Sequence, residues 1–194
     1  MKDSVKAVLE EAEGVSMPML GAGQLEYILT NIESVLHLPG DAVELGCNVG
    51  MTSSYIKRLL NRCATGKKLH VYDSFEGLPP KTAEDGATPC DKGASAVSIE
   101  MFKKTFIDAD VGLPEIHEGF FGNIPDNEYP DEICFAFFDG DFYSSIMDSF
   151  KKVYHKMTPG GIILIHDYEY EPFPGVKKAC DDFLKDKPEK VVKG

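Results

Sequence analysis

Basic residues are scarce in this chain of 194 residues, where 20 Lys and Arg face 32 Asp and Glu and leave a formal net charge of −12. Nucleic-acid-binding surfaces need clustered positive charge, so this composition argues against a nucleic-acid partner. No apolar run approaches the length that spans a membrane, and the first residues lead into an amphipathic segment in place of an apolar signal. We therefore expect a cytoplasmic protein with neither a nucleic-acid nor a membrane partner.

Paired cysteines are also missing, because the five cysteines are scattered and none forms a C-x-x-C motif. This absence argues against a zinc or redox centre of that kind, and free thiols suit a reducing cytoplasm. No internal repeat or linker divides the sequence. The length and pattern predict one domain over residues 1–194, with two amphipathic helices within residues 1–38.

Residues 42–50, Ala-Val-Glu-Leu-Gly-Cys-Asn-Val-Gly, are typical of a short buried strand that ends in an acid and turns through glycines into a helix. The dinucleotide pattern G-x-G-x-x-G is absent. Glu44 at the strand end would repel a pyrophosphate and attract the ammonium group of an amino-acid-bearing cofactor such as S-adenosylmethionine (SAM). Gly46 and Gly50 would let such a ligand approach the main chain, although a mere tight turn fits the same spacing.

A second predicted strand, residues 68–73, ends in Asp73 one strand–helix–strand unit later. Nucleoside-binding α/β folds place there the carboxylate that binds the ribose hydroxyls. The following residues 77–98 are rich in Gly, Ala, Thr, Pro and Asp, and a loop of this length is either a working lid or a disordered insertion. We favour a lid because the loop starts at the predicted ribose-binding edge.

Two further predicted strands end in polar groups. The apolar run 133–138 is typical of a central parallel strand and is followed by Asp139, while residues 162–165 are followed by His166 and Asp167. Ser144 and Ser145 are predicted to cap the intervening helix, and residues 191–192 suggest a sixth strand. These acids would share one edge of a parallel sheet and converge on a divalent cation or a substrate hydroxyl, although any single one fits a helix cap equally well.

These features together resemble the macrocin O-methyltransferase (TylF-like) family from about residue 25 to residue 184. The resemblance rests on four segments, residues 43–50, 72–79, 139–145 and 159–168. It implies a Rossmann-like class I methyltransferase with a doubly wound, mostly parallel α/β sheet. The sequence departs from this class in lacking the pattern of a seventh, antiparallel strand, so we expect either a shortened C-terminal edge or a truncated chain. The resemblance also implies methyl transfer from SAM to a hydroxyl of a small molecule, often a natural-product sugar, with magnesium assistance and a homodimer as a family-level expectation.

Carried over by position, the resemblance assigns cofactor binding to Glu44, Gly46, Cys47, Gly50, Asp73, Ser74 and Phe75. Asp139 becomes a metal ligand and the candidate base, and the family's paired acids fall on His166 and Asp167. His166 departs from that pattern, because magnesium prefers oxygen ligands whereas imidazole suits softer ions. It would replace a ligand, act as the catalytic base, or mark a homologue without the metal.

Two alternatives stay open at this point. A non-catalytic SAM-binding module would keep the fold without turnover, and His166 is compatible with it. A nicotinamide-dependent oxidoreductase is disfavoured by Glu44 and by the missing G-x-G-x-x-G pattern.

Overall fold

The computed structural model describes residues 3–12, 20, 22–63 and 65–193. Its strands are β1 Asp41–Leu45, β2 Leu69–Asp73, β3 Glu115–Glu118, β4 Ile133–Phe138 and β5 Met157–Ile165. Its helices are α1 Asp3–Ala12, α2 Ala22–Val35, α3 Met51–Arg62, α4 Ile99–Ala109, α5 Tyr143–Val153 and α6 Pro174–Leu184. The strands form one parallel sheet in the order β3-β2-β1-β4-β5. This confirms the predicted doubly wound α/β fold.

Each face of the sheet is covered by helices because the strands are apolar on both sides. All six residues of β4 are buried. Ala42, Phe135 and Phe137 pack with α1 to α4, whereas Ala136 and Phe138 pack with α5 and α6. None of the described helices is both long enough and apolar enough to cross a bilayer.

The chain winds in opposite directions from β1 and β4, which lie side by side at the centre of the sheet. In such sheets, ligands bind at this switch point, beyond the carboxyl ends of the strands. The amide of Asp139 donates to the carbonyl of Leu45 at 2.8 Å, and the amide of His166 donates to the carbonyl of Phe138 at 2.9 Å. The residues that follow β1, β4 and β5 are therefore held next to one another.

Some local predictions are wrong. Ser144 and Ser145 do not cap α5, because the helix begins at Tyr143 and its N-cap is Phe142, which has no capping side chain. Residues 191–192 lie outside any strand in the part of the chain that the structure describes. Residues 13–19 lie outside the described residues, so any continuation of the first predicted helix beyond Ala12 stays a prediction.

Candidate functional site

The carboxyl edge of the sheet concentrates unusual backbone geometry. Asn48, Phe75, Asp141 and Asp167 have positive φ values of 45°, 54°, 59° and 56°. Each follows a strand by two or three residues. Residues with side chains adopt this region at an energetic cost and do so most often where function requires it. The four turns after β1, β2, β4 and β5 therefore mark this edge as the candidate active site.

Asp139, His166 and Asp167, which were predicted as metal ligands, meet at this edge. Nδ1 of His166 lies 3.0 Å from Oδ1 of Asp139 and 3.0 Å from Oδ2 of Asp167. One ligand atom from each of the three residues lies within 4.8 Å of the others. All three side chains are partly exposed, Asp139 the most at 32%. The cluster is thus close enough to act as one group and open enough to be reached.

The imidazole of His166 is under opposing influences. Burial lowers its pKa, but the contacts with the Asp139 and Asp167 carboxylates outweigh burial and raise the pKa to about 10. Nδ1 is itself buried, and it makes no well-aligned hydrogen bond to either carboxylate despite the short distances. The contact is therefore mainly electrostatic. Without another cation, a protonated His166 neutralises part of the charge of the two acids.

The same three residues fit a divalent cation. Ligand atoms about 2.1 Å from an octahedral ion lie about 3.0 Å apart when they are adjacent. The two distances from Nδ1 of His166 have this value, and the poorly aligned Nδ1 atom would be satisfied by a metal bond. One imidazole with two carboxylates suits Mn²⁺, Fe²⁺ or Zn²⁺ better than the all-oxygen shell that Mg²⁺ prefers.

Two residues at this cluster were not predicted. Gln24 of α2 places Nε2 3.4 Å from Nε2 of His166, so an N-terminal helix reaches the site. Asp141 is largely enclosed, and burial together with Asp139 and Asp167 raises its pKa to about 7. The strand-end position of Asp141 was a usable signal, whereas an exposed Gln on a surface helix carries none.

Glu44 lies deeper than the cofactor prediction assumed. Its side chain is 1% exposed and accepts a hydrogen bond from the hydroxyl of Ser53 on α3. Burial raises its pKa to about 8; the hydrogen bond from Ser53 opposes this, and the charges of Asp139 and Asp73 add to it. In this arrangement Glu44 has almost no surface for a ligand. A direct contact with the ammonium of SAM stays a prediction, and it would require Glu44 to release Ser53.

Asp73 organises residues 46–50 between β1 and α3, which we call the glycine loop. Its Oδ2 accepts from the amides of Cys47 at 2.9 Å and Asn48 at 3.0 Å, and its Oδ1 accepts from the amide of Phe75 at 2.9 Å. A carboxylate has about four acceptor positions. The half-buried Asp73 therefore retains capacity for one further donor, and its binding of a ribose hydroxyl stays a prediction.

The glycines of the loop are explained by packing within the protein. A Cβ on Gly46 would lie 2.0 Å from the carbonyl oxygen of Asp139, and one on Gly50 would lie 2.7 Å from the ring of Phe102. Both residues have positive φ values, 90° and 81°. Both glycines are therefore required for the shape of this loop. Direct contact with SAM stays a prediction.

The other predicted cofactor residues surround this loop. Cys47 is buried, and burial raises the pKa of its thiol well above the ordinary value, with Asp73 and Glu44 adding to the effect. Ser74 is also buried, and its hydroxyl donates to the carbonyl of Gly77 at 2.8 Å. Phe75 is half-buried and makes an edge contact with Phe102. All three shape the edge, and their contact with a ligand stays a prediction.

The predicted lid, residues 77–98, is held at its base and against the glycine loop. The amide of Leu78 donates to the carbonyl of Ala94, and the amide of Gly93 donates to the carbonyl of Leu78, both at 2.9 Å. The side-chain amide of Asn48 donates to the carbonyl of Ser95 at 3.1 Å. The loop is thus ordered by specific contacts beside the candidate site. Its action as a lid stays a prediction.

Comparisons with known proteins agree on one kind of enzyme. The family model described as "Macrocin-O-methyltransferase (TylF)" matches residues 2–191. The chain is 28% identical over 187 residues to the 8-demethyl-8-(2,3-dimethoxy-alpha-L-rhamnosyl)-tetracenomycin-C 4'-O-methyltransferase of Streptomyces olivaceus, covering 89% of this chain and 67% of that protein. It is 29% identical over 177 residues to demethyldecarbamoylnovobiocin O-methyltransferase of Streptomyces niveus, covering 85% of this chain and 66% of that protein.

The chain is also similar to an O-methyltransferase of known structure. The O-methyltransferase NovP superimposes on this chain with a TM-score of 0.78 at 25% identity, and the match covers 90% of this chain and 77% of that one. The chain spans about two thirds of the length of the two curated relatives.

Proposed function

The chain belongs to the macrocin-O-methyltransferase (TylF) family of SAM-dependent O-methyltransferases, and we propose that it methylates a hydroxyl group on the sugar of a glycosylated small molecule. The family match over residues 2–191, joined to the cluster of Asp139, His166 and Asp167 at the switch point, carries this proposal. The rhamnosyl group named for one relative supports a sugar acceptor. Family membership also favours methyl transfer over a nicotinamide-dependent reaction. The homodimer stays a prediction.

A divalent cation at Asp139, His166 and Asp167 is part of the proposal. When bound there, it would polarise the acceptor hydroxyl and lower the pKa of that hydroxyl. His166 would offer Nδ1, so its proton must leave before the cation binds, and binding should weaken as the pH falls. With Nδ1 on the cation, Nε2 of His166 carries the proton, and the side-chain amide of Gln24, turned so that its oxygen accepts from Nε2, would hold the ring in orientation.

We assign the role of catalytic base to Asp139. It is the most exposed member of the cluster, so a substrate hydroxyl can approach it. His166 is a poor base in either state, because its pKa of about 10 keeps it protonated near neutral pH, and a bound cation would occupy its Nδ1 lone pair. The hydroxyl oxygen forms the new bond to the methyl carbon, the carbon–sulfur bond of SAM breaks, and the hydroxyl proton moves to Asp139.

Alignment of the methyl donor is the second requirement, since the displacement must be in line. Asp73 holds the amides of Cys47 and Asn48, and it therefore fixes the loop against which SAM would lie. The remaining acceptor capacity of Asp73 suits a ribose hydroxyl. Positive charge on the sulfonium and ammonium groups of SAM suits an edge that carries several acids.

The experiment is calorimetry with SAM and S-adenosylhomocysteine, followed by a turnover assay. Labelled SAM is incubated with Mn²⁺ or Mg²⁺ and a panel of glycosylated natural products, and methylated product is detected by mass spectrometry. We expect binding of both ligands, turnover of at least one acceptor, and loss of turnover in Asp139→Asn. Absence of binding by SAM and S-adenosylhomocysteine at millimolar concentration would rule out the proposed function.

A second candidate function is a SAM-binding module without turnover. The observation in its favour is that a protonated His166 can stand between Asp139 and Asp167 where a cation would otherwise lie. This candidate predicts binding of SAM with no response of the protein to any divalent ion. Turnover of a single acceptor would exclude it.

A further inference from the structure

Asp85 is a buried acid in the loop 77–98 that the proposed reaction does not use. It closes a short 3-10 turn, Ala83–Asp85, and its side chain is 1% exposed. Oδ2 accepts from the amide and the hydroxyl of Thr82 at 2.7 and 2.9 Å. Oδ1 accepts from the amide of Tyr143 at 2.7 Å. A buried carboxylate with these partners fixes both its own turn and the first residue of α5.

The contact with Tyr143 replaces the missing cap of α5. A helix begins with amides that have no partner within the helix. Phe142 has no side-chain acceptor, and Ser144 and Ser145 lie inside the first turn. Among the described residues, the hydroxyl of Ser144 has no hydrogen-bond partner. Asp85 thus supplies, from 58 residues earlier in the chain, the acceptor that the local sequence lacks, and its negative charge suits a helix N-terminus.

The contact between Asp85 and Tyr143 is also closely packed against α6, at Gly175. This glycine is the second residue of α6, and a Cβ there would lie 2.1 Å from Oδ1 of Asp85 and 2.8 Å from the amide nitrogen of Tyr143. Its backbone does not have a positive φ value, so packing alone explains the glycine. The starts of α5 and α6 therefore meet the loop at a single carboxylate oxygen.

The start of α5 in turn affects the position of Asp139, the proposed base. Tyr143 is the second residue after Asp141 and the fourth after Asp139, and the connecting turn is tight, with a 2.6 Å hydrogen bond from the amide of Phe142 to the carbonyl of Gly140. Asp141 has a φ of 59° within it. A shift of Tyr143 must therefore move this turn.

We propose that Asp85 is a positioning residue, which couples the loop 77–98 to the turn 139–142 and holds Asp139 in the geometry required for its ligand and base roles. The inference deepens the proposed function and rests on it for the role of Asp139. Loss of Asp85 would loosen the loop and the turn together, although Asp85 contacts neither the acceptor hydroxyl nor the methyl donor.

The experiment compares Asp85→Ala, Asp85→Asn and Gly175→Ala with wild type. Glu84→Gln is the matched control, because Glu84 is an exposed acid in the same turn. Amide hydrogen exchange is measured for peptides 78–94 and 139–146, and Mn²⁺ affinity by calorimetry. We expect Asp85→Ala to raise exchange in both peptides by roughly tenfold, as for loss of one charge-assisted hydrogen bond, and to weaken Mn²⁺ binding. Asp85→Asn should recover part of the effect, since its oxygen can still accept from Tyr143.

Gly175→Ala should weaken the same hydrogen bond between Asp85 and Tyr143, because the added Cβ would displace Oδ1 of Asp85. Its effect combined with Asp85→Ala should be less than additive, because both act on one contact. In turnover assays, kcat should fall with little change in the KM for SAM. Faster exchange confined to peptide 78–94, with unchanged Mn²⁺ affinity and kcat, would overturn the proposal. If wild type shows no turnover, the proposed function fails, whereas the exchange data still decide whether Asp85 couples the two segments.

Discussion

Glu44→Gln separates the electrostatic role of Glu44 from its shape. The ordinary pKa of a Glu side chain is 4.5, and burial raises that of Glu44 to about 8. Between these values the folded protein retains a proton that the unfolded chain releases, so the free energy of unfolding falls as the pH rises. This stabilising contribution is complete below pH 4.5 and is lost as the pH increases through about 8.

The magnitude follows from the pKa difference. Each pH unit within this window lowers the free energy of unfolding by about 1.4 kcal/mol. The accumulated loss is about 3 kcal/mol at pH 7 and about 5 kcal/mol above pH 8. Glu44→Gln keeps the size of the side chain and an oxygen that can accept from Ser53. It removes the titration. We therefore expect the variant to gain about 1.4 kcal/mol per pH unit relative to wild type between pH 5 and pH 8.

The assay is urea denaturation of both proteins at pH 5, 6, 7 and 8, in EDTA so that no cation alters the charge near Asp139. Glu26→Gln, at an exposed position of α2, is the control and should run parallel to wild type. Parallel curves for wild type and Glu44→Gln would refute the reasoning, whatever the constant offset between them. Calorimetry with SAM on the same proteins then tests the cofactor role, because a direct ammonium contact predicts weaker binding in Glu44→Gln.

Three further predictions concern the architecture of the site. Gly46→Ala should lower the free energy of unfolding, measured by urea denaturation, by about 3 kcal/mol or more. Gly46 has a φ of 90°, and a Cβ there would lie 2.0 Å from the carbonyl oxygen of Asp139. Gln24→Leu should weaken Mn²⁺ binding roughly tenfold in calorimetry without lowering the melting temperature, because it releases the outer nitrogen of His166. Thr105→Val should lower the free energy of unfolding by about 1 kcal/mol and weaken SAM binding, because the Thr105 hydroxyl donates to the carbonyl of Val49 in the glycine loop at 2.6 Å. For each of the three variants, values equal to those of wild type would contradict the expectation.

Much of the fold could be predicted because local pattern and tertiary packing agree. The apolar run that forms β4 is buried on both faces, as a central parallel strand must be. The acids that end β1, β2 and β4 lie at one edge because parallel strands place their carboxyl ends together. Asp139, His166 and Asp167 were therefore predicted as a cluster and are found as one.

The failures arise where a distant residue does what local residues were expected to do. Ser144 and Ser145 have the composition of a helix cap, but Asp85 already occupies that role from the loop 77–98. Gln24 reaches His166 across 142 positions, and nothing in a polar residue on a surface helix indicates this. Such contacts depend on how the elements pack, which spacing along one strand or helix does not encode.

The acids at this edge can coexist because protons and one imidazole offset their repulsion. Glu44 and Asp141 have pKa values raised to about 8 and about 7, so they take up protons near neutral pH. His166, with a pKa of about 10, supplies a positive charge between Asp139 and Asp167. A cationic methyl donor and a divalent ion would take over this neutralising role on binding. The acids that repel one another at this edge are therefore the same ones that would attract the proposed cationic ligands. Binding of those ligands would be linked to the release of protons from these groups.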